Sequence, residues 1–440
     1  MVAPLDAIAT LLDQGAADSA VRMLRSSWEP DMPAEHRVPH YCMWIRGLCE
    51  TGDLEHAVTL AKRAAQEFPR ELDVLTALGN VLDLSGDLEG SRDAFALAVE
   101  VDAGSSLAQY NLGAVVERLG DENFAERCYE RALELDDGPM LVEAVAALGG
   151  LLRRQGRLEE ALEVYDDYLA DDPLDVEILV EHGICSSDLE HFEEALDRFR
   201  TALSLEPEHG GAWYNQAITL YRLGRFDEAL ECMEHARLAE PNNPLTLVVL
   251  GAWRLVEENP NLDAALSHIY RGLDCLDSMV ERGGIASAYA ALVVEEAFEA
   301  LWHAGRRGEA REIARMAGRR DWITPHMLEV VNQAEYGMDT EVRAYRVVAR
   351  ASRDVDASTA NSPANWPQDA DGYTTDLTVV AANEDEACEL TLRWLSELEP
   401  TLRYEVEVVA REKRSSTPPE PRPRGVARIE QTRNFFAERR

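Results

Sequence analysis

Lysine is almost missing from this chain: Lys62 and Lys413 are the two lysines, and arginine supplies the rest of the 43 basic side chains. Positive charge as a whole is short, with 43 Lys and Arg against 82 Asp and Glu, a formal net charge of -39. Such a surface repels phosphate backbones and anionic membranes, which argues against nucleic acid or membrane as the main ligand and favours neutral or basic protein partners. No run of about 18 apolar residues occurs, which excludes a simple membrane-spanning helix. The opening MVAPLDAIATLLDQG lacks a basic start followed by an apolar core of signal-peptide length, so the expected location is cytoplasmic. Cysteines number seven, an odd count with no C-x-x-C spacing, and they read as reduced core thiols. The phosphate-binding G-x-x-x-x-G-K-[ST], the dinucleotide G-x-G-x-x-G after a strand, the nucleophile elbow G-x-S-x-G and the zinc motif H-E-x-x-H are missing. His36 and His40 near Cys42, and Cys232 near His235, each lack a second pair of metal ligands. The chain therefore reads as a non-enzyme with no cofactor, no metal and no small-molecule substrate.

What is present is a period. A small residue recurs at Ala20, Ala57, Ser91, Ala125, Ala161, Ala195, Ala229 and Ala265, at intervals between 34 and 37 residues. A turn glycine keeps step at Gly15, Gly52, Gly86, Gly120, Gly156 and Gly224, with Glu190 in the place of one member. Around these markers the apolar spacing fits two antiparallel helices per unit. Between Gly210 and Asn243, Trp213, Gln216, Ala217 and Leu220 form one stripe, Gly224 breaks it, Ala229, Met233 and Ala236 form the second, and Pro241 ends the unit. Acidic pairs such as Glu159 and Glu160, or Glu193 and Glu194, fall at starts of second helices, where negative charge suits the helix dipole. They are read as solvated caps rather than as paired catalytic carboxylates.

Leu75, Leu78, Gly79, Leu82, Ser91 and Phe95 in one unit, and Leu179, Gly183, Ala195, Phe199, Ala202 and Pro207 in another, follow a pattern that resembles the tetratricopeptide repeat family. Seven or eight units in register carry the resemblance over residues 1–320, with a divergent ninth from Leu292 to Ala317. The resemblance implies a mainly α fold, a right-handed superhelical solenoid of about nine helix-turn-helix units. Its first helices would line a concave surface that holds a protein or peptide partner. The inward positions are Asn80, Tyr110, Asn111, Arg118, Arg154, Tyr214, Asn215, Tyr221 and Arg222. Amides bracket a peptide backbone and tyrosines give rigid contact area; the competing reading is that each merely finishes a helix surface. Some family members clamp an acidic C-terminus with Lys and Arg around two asparagines. Asn80 and Asn111 sit at the asparagine positions, but Thr76, Glu143 and Ala147 stand where the cations belong, so that ligand is not expected.

From Glu341 the period becomes alternating. Residues 341–412 read as strand, strand, helix, strand: Tyr345, Val347 and Ala349 on one side of the first strand, Thr375–Ala381 the second, Glu384–Leu398 a helix opened by Asn383, and Tyr404–Val409 the third. A small α+β module follows, a three-stranded sheet with one helix on a face, which docks on the solenoid or drives a homo-oligomer. The long connection 351–372 holds Trp366, which either tucks onto a neighbour or meets a partner. Residues 413–440 form a basic tail, a proline-rich connector and a short helix, carrying eight basic and three acidic residues and suited to an acidic groove of its own chain.

Overall fold

The computed structural model describes residues 5–29, 32–135, 141–257, 260–281, 287–320, 322–336, 338–339, 343–353, 372–381, 384–398, 402–411, 422–423, 425–429 and 434–436. Trp366, Asn383 and most of the proline-rich connector lie outside the described residues. The chain divides into two units, Met1–Arg225 and Phe226–Arg440.

Among the described residues the first unit contains helices and no strand. First and second helices alternate: α1 (Leu5–Asp13) and α2 (Ala17–Ser27), α3 (Ala34–Glu50) and α4 (Leu54–Glu67), α5 (Leu72–Leu84) and α6 (Leu88–Val101), α7 (Ser106–Arg118) and α8 (Glu122–Leu135), α9 (Leu141–Arg154) and α10 (Leu158–Asp171), α11 (Val176–Asp188) and α12 (Phe192–Leu205), then α13 (Gly210–Arg222). Each hairpin follows from its sequence. Side chains cap several of the starts: Asp175 Oδ1 accepts from Ile178 N at 3.0 Å and His209 Nδ1 from Ala212 N at 3.0 Å. First helices are followed by left-handed residues, with φ from 73° at Gly15 to 87° at Gly120, and Glu190 adopts φ 63° in the same role. The small markers Ala20, Ala57, Ser91, Ala125, Ala161 and Ala195 are all fully buried. Glycines of the first helices face aromatic rings of the second: a Cβ added at Gly113 would sit 2.7 Å from the Tyr129 ring and one at Gly183 2.7 Å from Phe199. Small-against-aromatic packing thus sets how closely the two helices approach.

The second unit opens with α14 (Phe226–Ala239), α15 (Pro244–Leu255), α16 (Leu262–Glu281), α17 (Ser287–His303) and α18 (Arg307–Arg319), so along the chain eighteen helices follow one another in the order that nine two-helix repeats require. A further helix, α19 (Pro325–Tyr336), starts at Thr324, whose hydroxyl accepts from Met327 N at 3.2 Å. The short strand β1 (Met338–Asp339) comes next, followed by β2 (Arg343–Arg353), β3 (Gly372–Ala381), α20 (Glu384–Leu398) and β4 (Leu402–Arg411), which gives the predicted strand, strand, helix, strand order. Alternation is visible in the burial of Val347 and Ala349 on β2 and of Leu377, Val379 and Ala381 on β3; these pack on Ala387 and Leu395 of α20.

Two expectations are corrected. The sheet has five strands in the order β4-β2-β3-β6, with β7 also on β3, and the basic tail supplies strands where a short helix was expected. β5 (Arg422–Pro423) pairs with β1, β6 (Gly425–Ile429) with β3 from Leu377↔Ile429 to Val380↔Gly425, and β7 (Asn434–Phe436) with β3 at Gly372–Thr374. The reason is the edge of β3: in a three-stranded sheet it would leave a row of backbone groups unpaired, and the tail satisfies them.

Candidate partner-binding groove

Counting back from the turn residue of each unit, the last turn of one first helix meets the last turn of the next through a repeated polar tie. Asp83, three before Gly86, pairs with Arg118, two before Gly120. Glu117 pairs with Arg154 one unit on. The charges then exchange: Arg153 Nη1 stands 3.2 Å from Asp188 Oδ2. In the next tie Arg222 Nη1 donates to the Ser187 carbonyl at 2.7 Å while its guanidinium lies 4.9 Å from the Phe192 ring centroid. At the first junction Arg46 bridges Asp13 at 3.0 Å and Glu50 at 2.8 Å. The corresponding pair between α3 and α5 is Cys49 and Leu84, neither of them charged.

At that break lies a groove of about 920 Å³, lined by α3, α5 and the start of α7, with Asn80, Thr76, Asp73, Arg46 and Leu107 among its walls. Burial and the carboxylates of Asp73 and Glu71 push the Cys42 thiol up to about 12, and burial raises Cys49 as well. Both stay protonated near neutrality, poor nucleophiles and poor metal ligands. Among the described residues no three His, Cys, Asp or Glu side chains are grouped to hold a metal ion, and no helix is long and apolar enough to cross a membrane.

Models of the tetratricopeptide repeat match residues 42–108, 117–176 and 188–245. Tetratricopeptide repeats thus occupy residues 42–108, 117–176 and 188–245 of this chain. Among curated proteins, the probable UDP-N-acetylglucosamine–peptide N-acetylglucosaminyltransferase SPINDLY of Hordeum vulgare is 26% identical over 40% of this chain and 19% of its own length. Tetratricopeptide repeat protein 7A of Homo sapiens is 28% identical over 28% of this chain and 14% of its own. The Hsp70/Hsp90 co-chaperone cns1 of Schizosaccharomyces pombe is 29% identical over 21% of this chain and 27% of its own. The chain thus spans 14% to 27% of the length of these relatives. Of solved structures, YrrB, described as a tetratricopeptide repeat protein with an unusual peptide-binding site, superposes with a TM-score of 0.35 at 23% identity, over 43% of this chain and 96% of that one.

The repeats distribute the sequence-predicted residues unevenly. Asn80 is exposed in the groove, and Asn111 is half-buried on α7. Tyr110 is half-buried, its ring 5.9 Å from that of Tyr129; burial, then Glu143, Glu177 and Glu117, hold its phenol above the usual pKa. Tyr214 is half-buried and Tyr221 exposed, while the Asn215 amide donates to Gly211 O of its own helix at 2.8 Å. Arg118, Arg154 and Arg222 are engaged in the ties between units. Sequence reasoning missed Leu84, Cys49, Asp73 and Arg46. The signal was available: reading charges at one repeat period shows a polar pair at each junction from Asp83 to Arg222 and none at Cys49 and Leu84.

One constellation has catalytic residue types. His182 Nε2 lies 3.1 Å from Asp166 Oδ1 and its Nδ1 3.2 Å from Ser186 Oγ. Ser186 and His182 are both fully buried, so no substrate reaches the hydroxyl. Burial, with Arg198 adding to it, lowers the histidine pKa. The triad is a satisfied polar network that ties α10 to α11.

Proposed function

We propose that this protein is a non-catalytic interaction scaffold that holds a segment of a partner protein against the first helices of its repeats. The observation that carries the reading is the groove of about 920 Å³ built from three successive first helices, with exposed Asn80 in its wall. Asparagine donates and accepts at once, which suits an extended backbone, and Tyr110 and Asn111 continue the same surface on α7. The tie of Asp83 to Arg118 holds α5 and α7 in a fixed relation, which lowers the ordering cost of binding on that side of the groove. The co-chaperone relative and the peptide-binding description of YrrB are consistent with a protein ligand. The transferase activity stated for the barley relative is not carried over, since this chain spans 19% of that protein.

The test is affinity capture from the native cell extract with the full chain and with a variant in which Asn80, Tyr110 and Asn111 are all alanine. Partners retained by the parent and lost by the variant support the reading; an unchanged set of partners refutes it. A second reading, assembly through the C-terminal module, is favoured by β4. It stands at the end of the strand order, and among the described residues it pairs only with β2. An edge of this kind recruits another strand. Sizing of the intact chain decides: a monomer at all concentrations removes this alternative.

A further inference from the structure

The interrupted junction carries more than a place to bind. From Asp83 to Arg222 each tie between first helices closes the surface with a polar pair, so the seam between repeats is bridged. At Cys49 and Leu84 that bridge is replaced by apolar side chains. Leu84 is 60% exposed and, across the groove, Leu107 is 40% exposed. Aliphatic side chains left in water on adjoining first helices, inside a concavity, are the features that bind an apolar anchor. The charge beside them has one sign to spare. Arg46 is held by Asp13 and Glu50 and Asp83 by Arg118, whereas exposed Asp73 makes no ion pair among the described residues. Further along, burial and then the negative charges of Glu143 and Glu177 hold the Tyr110 phenol above its usual pKa.

We infer that the missing tie is the specificity pocket of the groove, and that it takes a basic amphipathic segment of a partner protein. One or two aliphatic side chains would cover Leu84 and Leu107, and a lysine or arginine would stand beside Asp73. This rests on the proposed scaffold function and deepens it by naming the chemistry of the ligand. Apolar contact supplies affinity, and the carboxylate selects against acidic segments.

The probe is a short synthetic helix of leucine and lysine, with two controls: the same peptide with serine for leucine, and the same peptide with glutamate for lysine. Binding to the full chain is read by fluorescence anisotropy at physiological salt, where long-range attraction to so acidic a protein is screened. The leucine–lysine peptide should bind at least about tenfold tighter than either control, a difference worth ~1.4 kcal/mol. The double variant Cys49→Glu with Leu84→Arg rebuilds the tie in the arrangement of Asp83 and Arg118, and should weaken the leucine–lysine peptide about tenfold while leaving the serine control unchanged. Because rebuilding could disturb folding, Leu84→Ser with Leu107→Ser, which alters only exposed side chains, serves as an independent variant and should give the same loss. Equal binding of the leucine and serine peptides, or undiminished leucine-peptide binding by both variants, overturns the inference. If either result coincides with retained capture of partners that depends on Asn80, Tyr110 and Asn111, the scaffold function stands and only the pocket is refuted.

Discussion

Glu190 is a residue whose chemistry opposes its backbone. It occupies the turn position that glycine fills in the neighbouring units, at φ 63°, where a side chain crowds the following carbonyl at a cost of about 1 kcal/mol or more. Its carboxylate is exposed, so removing the side chain should lose little. Glu190→Gly is expected to raise stability by about 1 kcal/mol, less a few tenths for the added freedom of the unfolded chain. Denaturant titration checks this, and an unchanged midpoint would mean the turn is relaxed. His40 tests burial instead. Its ring is fully buried, with Nε2 3.1 Å from Ser27 Oγ and the Trp28 and Trp44 rings at 5.3 and 5.9 Å. Burial lowers its pKa. The folded chain therefore holds this proton less tightly than the unfolded chain, whose histidine titrates near ~6.5. The contribution of neutral His40 is complete above that value and is lost as pH falls below it. Titration of the many carboxylates is common to parent and variant and cancels in their difference. Between pH 7 and pH 5 the parent should lose stability relative to His40→Gln, so the gap between their melting curves narrows. A gap independent of pH would place the histidine in water.

At the scale of the element, hairpins and the ties between them obey different rules. Within a hairpin, spacing is fixed by glycine against an aromatic ring. Gly113→Ala would drive a methyl to 2.7 Å from Tyr129, and overpacking of this kind should cost about 1–3 kcal/mol; a denaturation midpoint equal to the parent's would show that the ring can move aside. Between hairpins, Arg153 and Asp188 carry the reversed charge order of Arg118 and Asp83. The pair is partly exposed, so each of Arg153→Asp and Asp188→Arg should cost about 0.5–1 kcal/mol while the double exchange recovers most of it. Failure of the double variant to recover would show that something other than charge fixes the junction. This is also where the sequence was legible and where it was not. Small residues and turn glycines recur at one period because each hairpin solves the same packing problem, so nine helix pairs could be read directly. Arg118, Arg154 and Arg222 read as partner contacts because a helix stripe shows which way a residue faces but not that its counter-charge waits one repeat away. The strands of the tail were hidden for a different reason: Arg422–Pro423 and Gly425–Ile429 are too short to show alternation, and their structure comes from the edge of β3.

At the largest scale, α19 decides what folds with what inside Phe226–Arg440. The alternating period beginning at Glu341 marks a change of architecture, and a repeat array of 1–320 with a separate module at 341–412 is the division that period proposes. Adjacent residues of α19 serve both sides of it. Met327, fully buried, belongs with Val293, Phe298 and Leu301 in the core of the helices, and Leu328 belongs with Val347, Leu377 and Leu395 in the core of the sheet. A helix turn cannot release one of these residues without loosening the other, so the two cores should open together. Met327→Ala, which deletes side-chain volume only on the helical side, is expected to cost about 2–4 kcal/mol. In hydrogen exchange of the intact chain it should lower protection of β2 and β3 by the same free energy as that of α17. Lost protection confined to α17 and α18, with the sheet as slow to exchange as in the parent, would show that the module folds on its own and merely rests against the helices. Coupled loss would make α19 the hinge through which any load on the sheet, including a strand added at β4, is felt by the last repeats.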